Sequence, residues 1–100
     1  MRIKFSVTES ALGDGGFSAV QVSDGPVWQG IKLENGEGIF IFDDHLRNFV
    51  IRLQAQGRVG GSVEVKAFVE DQKTAKKSLK IEIKEGEEGR RLVDFVVVKL

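Results

Sequence analysis

Apolar and polar residues alternate from the first residue and predict a half-buried β-strand over residues 1–8. Met1, Ile3, Phe5 and Val7 occupy one side, and basic or hydroxyl residues occupy the other. Alternation with period two is typical of a strand that turns one face to a core. Similar patterns and turn residues predict further strands over 17–23, 27–33, 38–42, 62–70, 78–85 and 92–100.

The tightest turn is expected at Asn35-Gly36, between two apolar segments. A type I′ turn needs positive φ at both central residues, and Asn-Gly is its favoured pair. The sequence therefore predicts a hairpin that pairs Trp28–Leu33 with Gly38–Phe42.

The period changes after two consecutive aspartates. Leu46, Phe49, Val50 and Leu53 stand at i, i+3, i+4 and i+7, with polar residues filling much of the remainder. This spacing predicts an amphipathic helix of about three turns. The aspartates suit its N-terminus and a glycine follows its last turn. Ile51 lies off the apolar stripe, so a second contact on that flank is expected.

Together these elements predict an α+β fold of the order ββββαβββ, mostly antiparallel sheet with one helix packed on it. The chain of 100 residues has the size of one domain, and residues 1–100 are interpreted as a single unit. The glycines at 57–61 are interpreted as a joint inside it, because neither half alone would bury much surface.

Composition narrows the class of protein. The apolar fraction is 41%, no cysteine occurs and the formal net charge is zero. No apolar run approaches the roughly 20 residues of a membrane helix, and the first residues do not resemble a signal peptide. The absence of cysteine favours a reducing compartment. We therefore expect a soluble, cytoplasmic protein without a membrane partner.

Few residues suit catalysis or metal binding. His45 is the single histidine, and without cysteine a Ser–His, Cys–His or zinc site is not expected. A carboxylate beside His45 would allow acid–base chemistry, but a partly exposed position near the start of the helix is the simpler interpretation. We expect no catalytic residue, no metal ligand and no cofactor.

Aromatic and basic residues on predicted outer strand faces suggest a second possibility. The second half of the chain has 11 Lys and Arg against 8 Asp and Glu. Rings that stack on bases and cations that follow phosphates are typical of single-strand binding proteins. The same rings would also suit contact with the helix or with a partner subunit. The candidate nucleic-acid-binding residues are Trp28, Lys66, Phe68, Lys80, Lys84, Arg90 and Arg91.

Part of the chain resembles the single-stranded nucleic-acid-binding proteins of the PC4, Whirly and PUR type. Residues 38–49 have the sequence GIFIFDDHLRNF, similar to the strand end of those families that leads into a helix with an early aromatic residue. The resemblance covers residues 1–56 and implies four antiparallel strands followed by a helix. It also implies single-stranded nucleic acid as a partner.

The last strand suggests self-association. Residues 92–100 are apolar on both faces, and a terminal strand often lies at a sheet edge where it can pair with another chain. Val93, Phe95 and Val97 are the predicted interface. We therefore expect a non-catalytic binding or assembly module that acts through its sheet surface as a homo-oligomer, most simply a dimer. Single-stranded nucleic-acid binding is the alternative function.

Overall fold

Eight β-strands and no helix form the structure, a computed structural model that describes residues 1–100. No helix that could cross a membrane is therefore present. The strands are β1 (Arg2–Ser10), β2 (Phe17–Ser23), β3 (Gln29–Gly30), β4 (Glu37–Ile41), β5 (Asn48–Gln56), β6 (Ser62–Val69), β7 (Lys77–Glu82) and β8 (Leu92–Lys99).

The strands form two antiparallel sheets that pack face to face. The first sheet has the order β4-β1-β6-β7 and the second has the order β3-β2-β5-β8. Every pairing within both sheets is antiparallel. The chain crosses between the sheets five times, after β1, β3, β4, β5 and β7. The fold is therefore an antiparallel β-sandwich.

The core lies between the two sheets and consists of one apolar cluster. Phe5 of the first sheet meets Phe49 of the second edge to face, with ring centroids 6.2 Å apart. Phe42 stacks on Phe49 from the connection before β5, at 4.6 Å. Edge-to-face and offset arrangements are favoured for aromatic pairs because of the ring quadrupole. Phe49 thus joins both sheets and one connection.

The predicted α+β class is wrong, because the segment expected to be a helix is strand β5. Phe49, Ile51, Leu53 and Ala55 are all buried to within 1% exposure, which is the alternation of a strand. Ile51 did not fit the helical stripe, and it is fully buried on the inner face. The order is eight strands in succession instead of ββββαβββ. The helix implied by the resemblance to single-strand binding families is absent as well.

The four apolar residues at helical spacing come from both faces of strand β5 and from the turn before it. Phe49 and Leu53 belong to the inner face of β5, Val50 belongs to its outer face, and Leu46 lies before the strand. The expected aspartate cap exists, but it closes a short turn: Asp43 Oδ1 accepts the His45 N–H at 2.8 Å. A strand that is apolar on one face and mixed on the other can therefore also place four apolar residues at helical spacing.

The turn at Asn35-Gly36 is confirmed. Both residues have positive φ, 53° and 77°, and Glu34 and Glu37 exchange two backbone hydrogen bonds of 2.8 and 3.0 Å. A Cβ atom on Gly36 would lie 2.8 Å from the backbone oxygen of Val7. Glycine is therefore required both for its φ angle and for the close approach of β1.

The predicted hairpin around this turn is wrong, although the turn itself is correct. Of the predicted strand 27–33 only Gln29–Gly30 is a strand, and it pairs with β2 of the second sheet. The following strand, Glu37–Ile41, pairs with β1 of the first sheet. The turn therefore lies on a crossover between the two sheets instead of joining two neighbours in one sheet.

Candidate binding surface on the second sheet

Strand β8 forms one edge of the second sheet and exposes apolar side chains. It pairs with β5 on one side only. Val93, Phe95 and Val97 are 45%, 52% and 50% exposed, whereas Val98 is buried at 1%. A strand with one free edge and three exposed apolar side chains in a row is a favourable template for pairing with another chain.

The free edge of β8 presents the backbone groups of its odd-numbered residues. Leu100 donates its N–H to the carbonyl of Arg47 at 2.8 Å, just beyond the pairing of Val98 with Phe49. Because hydrogen-bonded and non-hydrogen-bonded pairs alternate in an antiparallel ladder, the even-numbered residues of β8 bond to β5. The Phe95 N–H accordingly faces away from β5, and it donates to Asp94 Oδ1 at 2.9 Å.

An aromatic and basic cluster lies on the outer face of the same sheet. Trp28 precedes β3 at one edge and Phe95 belongs to β8 at the other, so their backbones are three strand spacings, about 14 Å, apart. Their rings nevertheless approach to 5.9 Å. The two side chains must therefore lie across the sheet toward its middle strands.

Arg52 occupies the centre of this cluster. Its guanidinium carbon lies 4.3 Å from the Trp28 ring centroid, and its Nε donates a hydrogen bond of 2.5 Å to Gln21 Oε1. Gln54 donates to the same oxygen at 3.1 Å. No carboxylate lies within ion-pair distance of the Arg52 side chain. The ring and the amide thus fix the arginine while its terminal nitrogens carry an uncompensated charge.

A second ring and cation lie further along the same face. Arg91 lies over the Phe17 ring at 5.5 Å from its centroid. No Asp or Glu occurs among the residues that point outward from the three main strands of this sheet. Those residues are Phe17, Ala19, Gln21, Ser23, Asn48, Val50, Arg52, Gln54, Gln56, Val93, Phe95, Val97 and Lys99. The outer face of the second sheet is therefore basic, aromatic and free of acidic side chains.

The structure separates the candidate residues that were predicted for nucleic-acid binding. Trp28 and Arg91 lie on the outer face of the second sheet. The outer face of the first sheet carries Lys66, Phe68 and Lys80. Lys84 and Arg90 lie in the connection between β7 and β8. The seven residues therefore do not form one surface.

A groove of about 390 Å³ separates the β7 and β8 edges and contains part of the predicted basic group. Lys80 and Lys84 line it together with Glu82, Glu87 and Asp94. Charges of both signs alternate along its walls, so it has no strong preference for an anionic ligand. The groove is a less suitable binding site than the acid-free outer face.

The segment around His45 is a surface turn. His45 is exposed, and Asp43 caps the turn by accepting the His45 N–H. The Met1 ammonium group donates a hydrogen bond to Asp44, and this bond together with the ammonium charge holds the pKa of the Asp44 carboxyl group below its ordinary value. No three His, Asp or Glu side chains are grouped closely enough to hold a metal ion.

Arg52 and Gln21 were not among the sequence candidates. A period-two interpretation of residues 48–56 would have found Arg52, because it alternates with the buried apolar residues of β5 and must point outward. Gln21 occupies the equivalent outward position on β2, directly opposite Arg52. The helix assignment hid Arg52, since it placed this residue on a solvent-exposed helical face. Gln21 was in a correctly predicted strand, but its position opposite Arg52 depends on the pairing of β2 with β5.

The fold and the surface together define an antiparallel β-sandwich with an exposed aromatic and basic sheet face. The chain matches no protein-family model, no curated protein and no solved structure.

Proposed function

We propose that the protein is a non-catalytic binding and assembly module that acts as a homodimer through the free edge of β8. The observation that carries this proposal is the row of exposed apolar side chains at Val93, Phe95 and Val97 on an unpaired strand. Twofold dimers are the commonest closed assemblies, and an antiparallel strand pair is compatible with that symmetry.

The four sheet edges differ in their capacity to pair with another chain. Strand β3 has only two residues, and β4 has five. Strand β7 carries outward charges of both signs, with Lys80 3.5 Å from Glu82. Strand β8 offers eight residues with three exposed apolar side chains. Short strands and charged edges are the usual protections against edge pairing, and β8 has the least of both.

Charge favours one register for an antiparallel pair of β8 strands. When Phe95 lies opposite Val97 of the second copy, Lys99 lies opposite Val93 and Asp94 opposite Val98. A shift that sets Phe95 opposite itself would instead place Arg91 opposite Lys99, and a further shift in the same direction would set Asp94 opposite itself. The opposite shift, which sets Val97 opposite itself, would leave residues 92 and 93 without partners. Like charges directly opposite one another are destabilising. The first register avoids both conflicts and pairs residues 92–100 along their whole length.

Asp94 opposes this pairing in the monomer. Its carboxylate accepts the Phe95 N–H, which is one of the free-edge donors that a second copy would use. A charged residue beside an edge donor is a recognised means of limiting edge pairing. The dimer must therefore release this hydrogen bond when it forms. Asp94→Ala should strengthen self-association, which makes the aspartate a brake on dimer formation.

Light scattering and sedimentation equilibrium at micromolar concentrations test the dimer. Val97→Pro removes an N–H that faces away from β5, so it should abolish the dimer while the ladder with β5 remains. Val97→Lys should act in the same direction through charge. Val97→Thr is similar in size and keeps the N–H, so it should still dimerise. A monomer for the unmodified protein at high micromolar concentration would exclude the proposal.

Disulfide trapping tests the register, because the chain has no cysteine of its own. Val96 lies opposite itself in the proposed register, at about 4.5 Å between Cα atoms. Val96→Cys should therefore form an intermolecular disulfide on mild oxidation, whereas Phe95→Cys should not. The reverse result would establish the shifted register instead.

We also propose that the protein is cytoplasmic. The absence of cysteine supports it, because small secreted domains usually contain disulfides.

A further inference from the structure

We infer that the outer face of the second sheet binds single-stranded nucleic acid. This inference does not depend on the homodimer, because the two proposals use different groups of β8. The dimer pairs the backbone groups of its free edge, whereas the inference uses side chains on its outer face, Phe95 among them. It rests on three features of the face: the absence of acidic side chains, cations without an anionic partner, and rings that lie on the sheet.

The rings offer stacking surfaces. Phe95 is 52% exposed and Trp28 is 37% exposed, and the two rings lie 5.9 Å apart. Phe17 adds a third ring along the same face. Base stacking on aromatic side chains tolerates any sequence, because every base has a π face. A line of rings on an open sheet therefore favours unpaired bases over a duplex, whose bases stack on one another.

The cations supply the phosphate contacts. The guanidinium of Arg52 is held by the Trp28 ring and by Gln21, with no acid within ion-pair distance. Arg91 and Lys99 extend the positive charge toward the two ends of β8. An arginine that is already oriented loses little side-chain freedom when it binds a phosphate.

Charge complementarity distinguishes this face from the rest of the surface. The whole chain has zero formal net charge, so acidic residues balance these cations elsewhere. On the first sheet, Lys66 and Lys80 lie within 4.0 and 3.5 Å of Glu64 and Glu82. A polyanion would therefore meet several cations without neighbouring carboxylates on the outer face of the second sheet, whereas on the first sheet Lys4, which lies over the Phe68 ring, is the cation without an ion pair.

Dimerisation would enlarge the face without covering it. In an antiparallel β8 pair the outer faces of the two copies lie on the same side of one continuous eight-stranded sheet. The two Arg52 residues would then lie on strands separated by three spacings, about 14 Å. A single strand that crosses the junction would contact both aromatic clusters.

Trp28 provides a direct probe, because it is the only tryptophan and the chain has no tyrosine. Oligothymidylate should quench its fluorescence as it binds, and the binding constant should fall with salt because each phosphate contact releases a counterion. Phe95→Ala should weaken binding about 5- to 150-fold, the range expected for loss of one stacked base. Arg52→Gln should weaken binding and flatten its salt dependence.

Two control variants lie on the first sheet. Lys4→Gln removes a cation and Ile39→Ala removes an exposed apolar side chain, and neither should change oligothymidylate binding. Titration of Val97→Pro, which removes the proposed dimer, separates the two proposals. Binding to this variant would support the face as a site whatever the oligomeric state.

Polyglutamate distinguishes base stacking from simple attraction of a polyanion. Weak, salt-sensitive polyglutamate binding that leaves Trp28 fluorescence unchanged would support the inference. Equal affinity for polyglutamate and oligothymidylate, unaffected by Phe95→Ala, would overturn it in favour of an acidic protein partner. No binding of oligothymidylate at low salt would overturn it outright.

Discussion

The two outer sheet faces of the sandwich differ in how their charges are balanced. On the first sheet, Lys66 and Lys80 form ion pairs with Glu64 and Glu82, and one cation, Lys4, lies over the Phe68 ring without a carboxylate partner. On the second sheet no acid points outward, and Arg52 lies on the Trp28 ring instead. Cations that are paired with neighbouring carboxylates attract an anionic ligand weakly, whereas unpaired cations beside aromatic rings can bind one. The contrast supports the proposal that ligands bind to the outer face of the second sheet.

The two inner faces, in contrast, are alike. Ile3 and Phe5 on β1 and Ile51 and Leu53 on β5 are all fully buried. Each inner face is a stripe of alternate apolar residues from neighbouring strands, as expected for a sandwich core. Both sheets therefore contribute residues to one core, and the difference described above concerns the outward-facing residues.

The largest effect is expected from Phe49→Ala, which breaks the part of the molecule that the two sheets share. Phe49 contacts the rings of Phe5 and Phe42 and is 1% exposed. Its truncation leaves a cavity between the sheets and should lower the free energy of unfolding by about 3–5 kcal/mol. Denaturant unfolding measures this change, and Ile39→Ala on the first outer face serves as the control. A loss below about 1 kcal/mol would contradict the buried position of Phe49.

Much of the strand pattern was predictable from the sequence, and β5 shows why one element was not. Strand β2 was predicted with its observed bounds, 17–23, because turn residues flank a β-branched and aromatic run. In β5, the positions of Phe49 and Leu53 fit both the strand period of two and the helical period of 3.6. Val50, on the outer face, also fits the helical period. Ile51 decides between them, because only a strand buries it together with Phe49 and Leu53.

The candidate binding face was predictable only in part. Residues 92–100 are apolar on both faces, which was enough to predict Val93, Phe95 and Val97 as an interface on a terminal strand. The structure exposes these side chains on an edge strand, and the interface itself stays a prediction. Trp28 was also predicted to point outward. Its contact with Phe95 was not predictable, because it depends on the sheet order β3-β2-β5-β8, which joins residues 67 positions apart in the chain. Sheet order is set by the packing of the whole core and leaves no local pattern.

An intermediate effect is expected from Arg52→Met, which removes the charge at the centre of the second face and keeps the aliphatic stem. The variant loses the contact with the Trp28 ring and the hydrogen bond to Gln21. Unfolding should become easier by about 1–2 kcal/mol. Trp28 fluorescence should change at the same time, because the guanidinium no longer covers the ring.

Lys66→Met on the first sheet is the matched control for Arg52→Met. Its ammonium lies 4.0 Å from Glu64 and the side chain is half exposed, so its ion pair contributes about 0–1 kcal/mol. Trp28 fluorescence should not change in this variant. If both variants lower stability equally, Arg52 has no special anchoring role on its face.

The smallest effect on stability, and the sharpest test of the difference between the faces, is expected from removing the acids of the first one. Glu37, Glu64 and Glu82 are its outward-pointing acids, and replacing all three with glutamine leaves that face as free of acids as the second. Each of the ion pairs lost contributes about 0–1 kcal/mol, so thermal unfolding should change little. The net charge rises by three, which should add salt-sensitive attraction for any polyanion. Since no tryptophan lies on the first sheet, this added binding should occur without further quenching of Trp28 and should treat polyglutamate and oligothymidylate alike. The first face has one ring of its own, Phe68. A preference for oligothymidylate at the altered first face that persists when Phe68 is also replaced with alanine would show that acid removal alone is sufficient. The rings of the second face would then not be what selects the ligand.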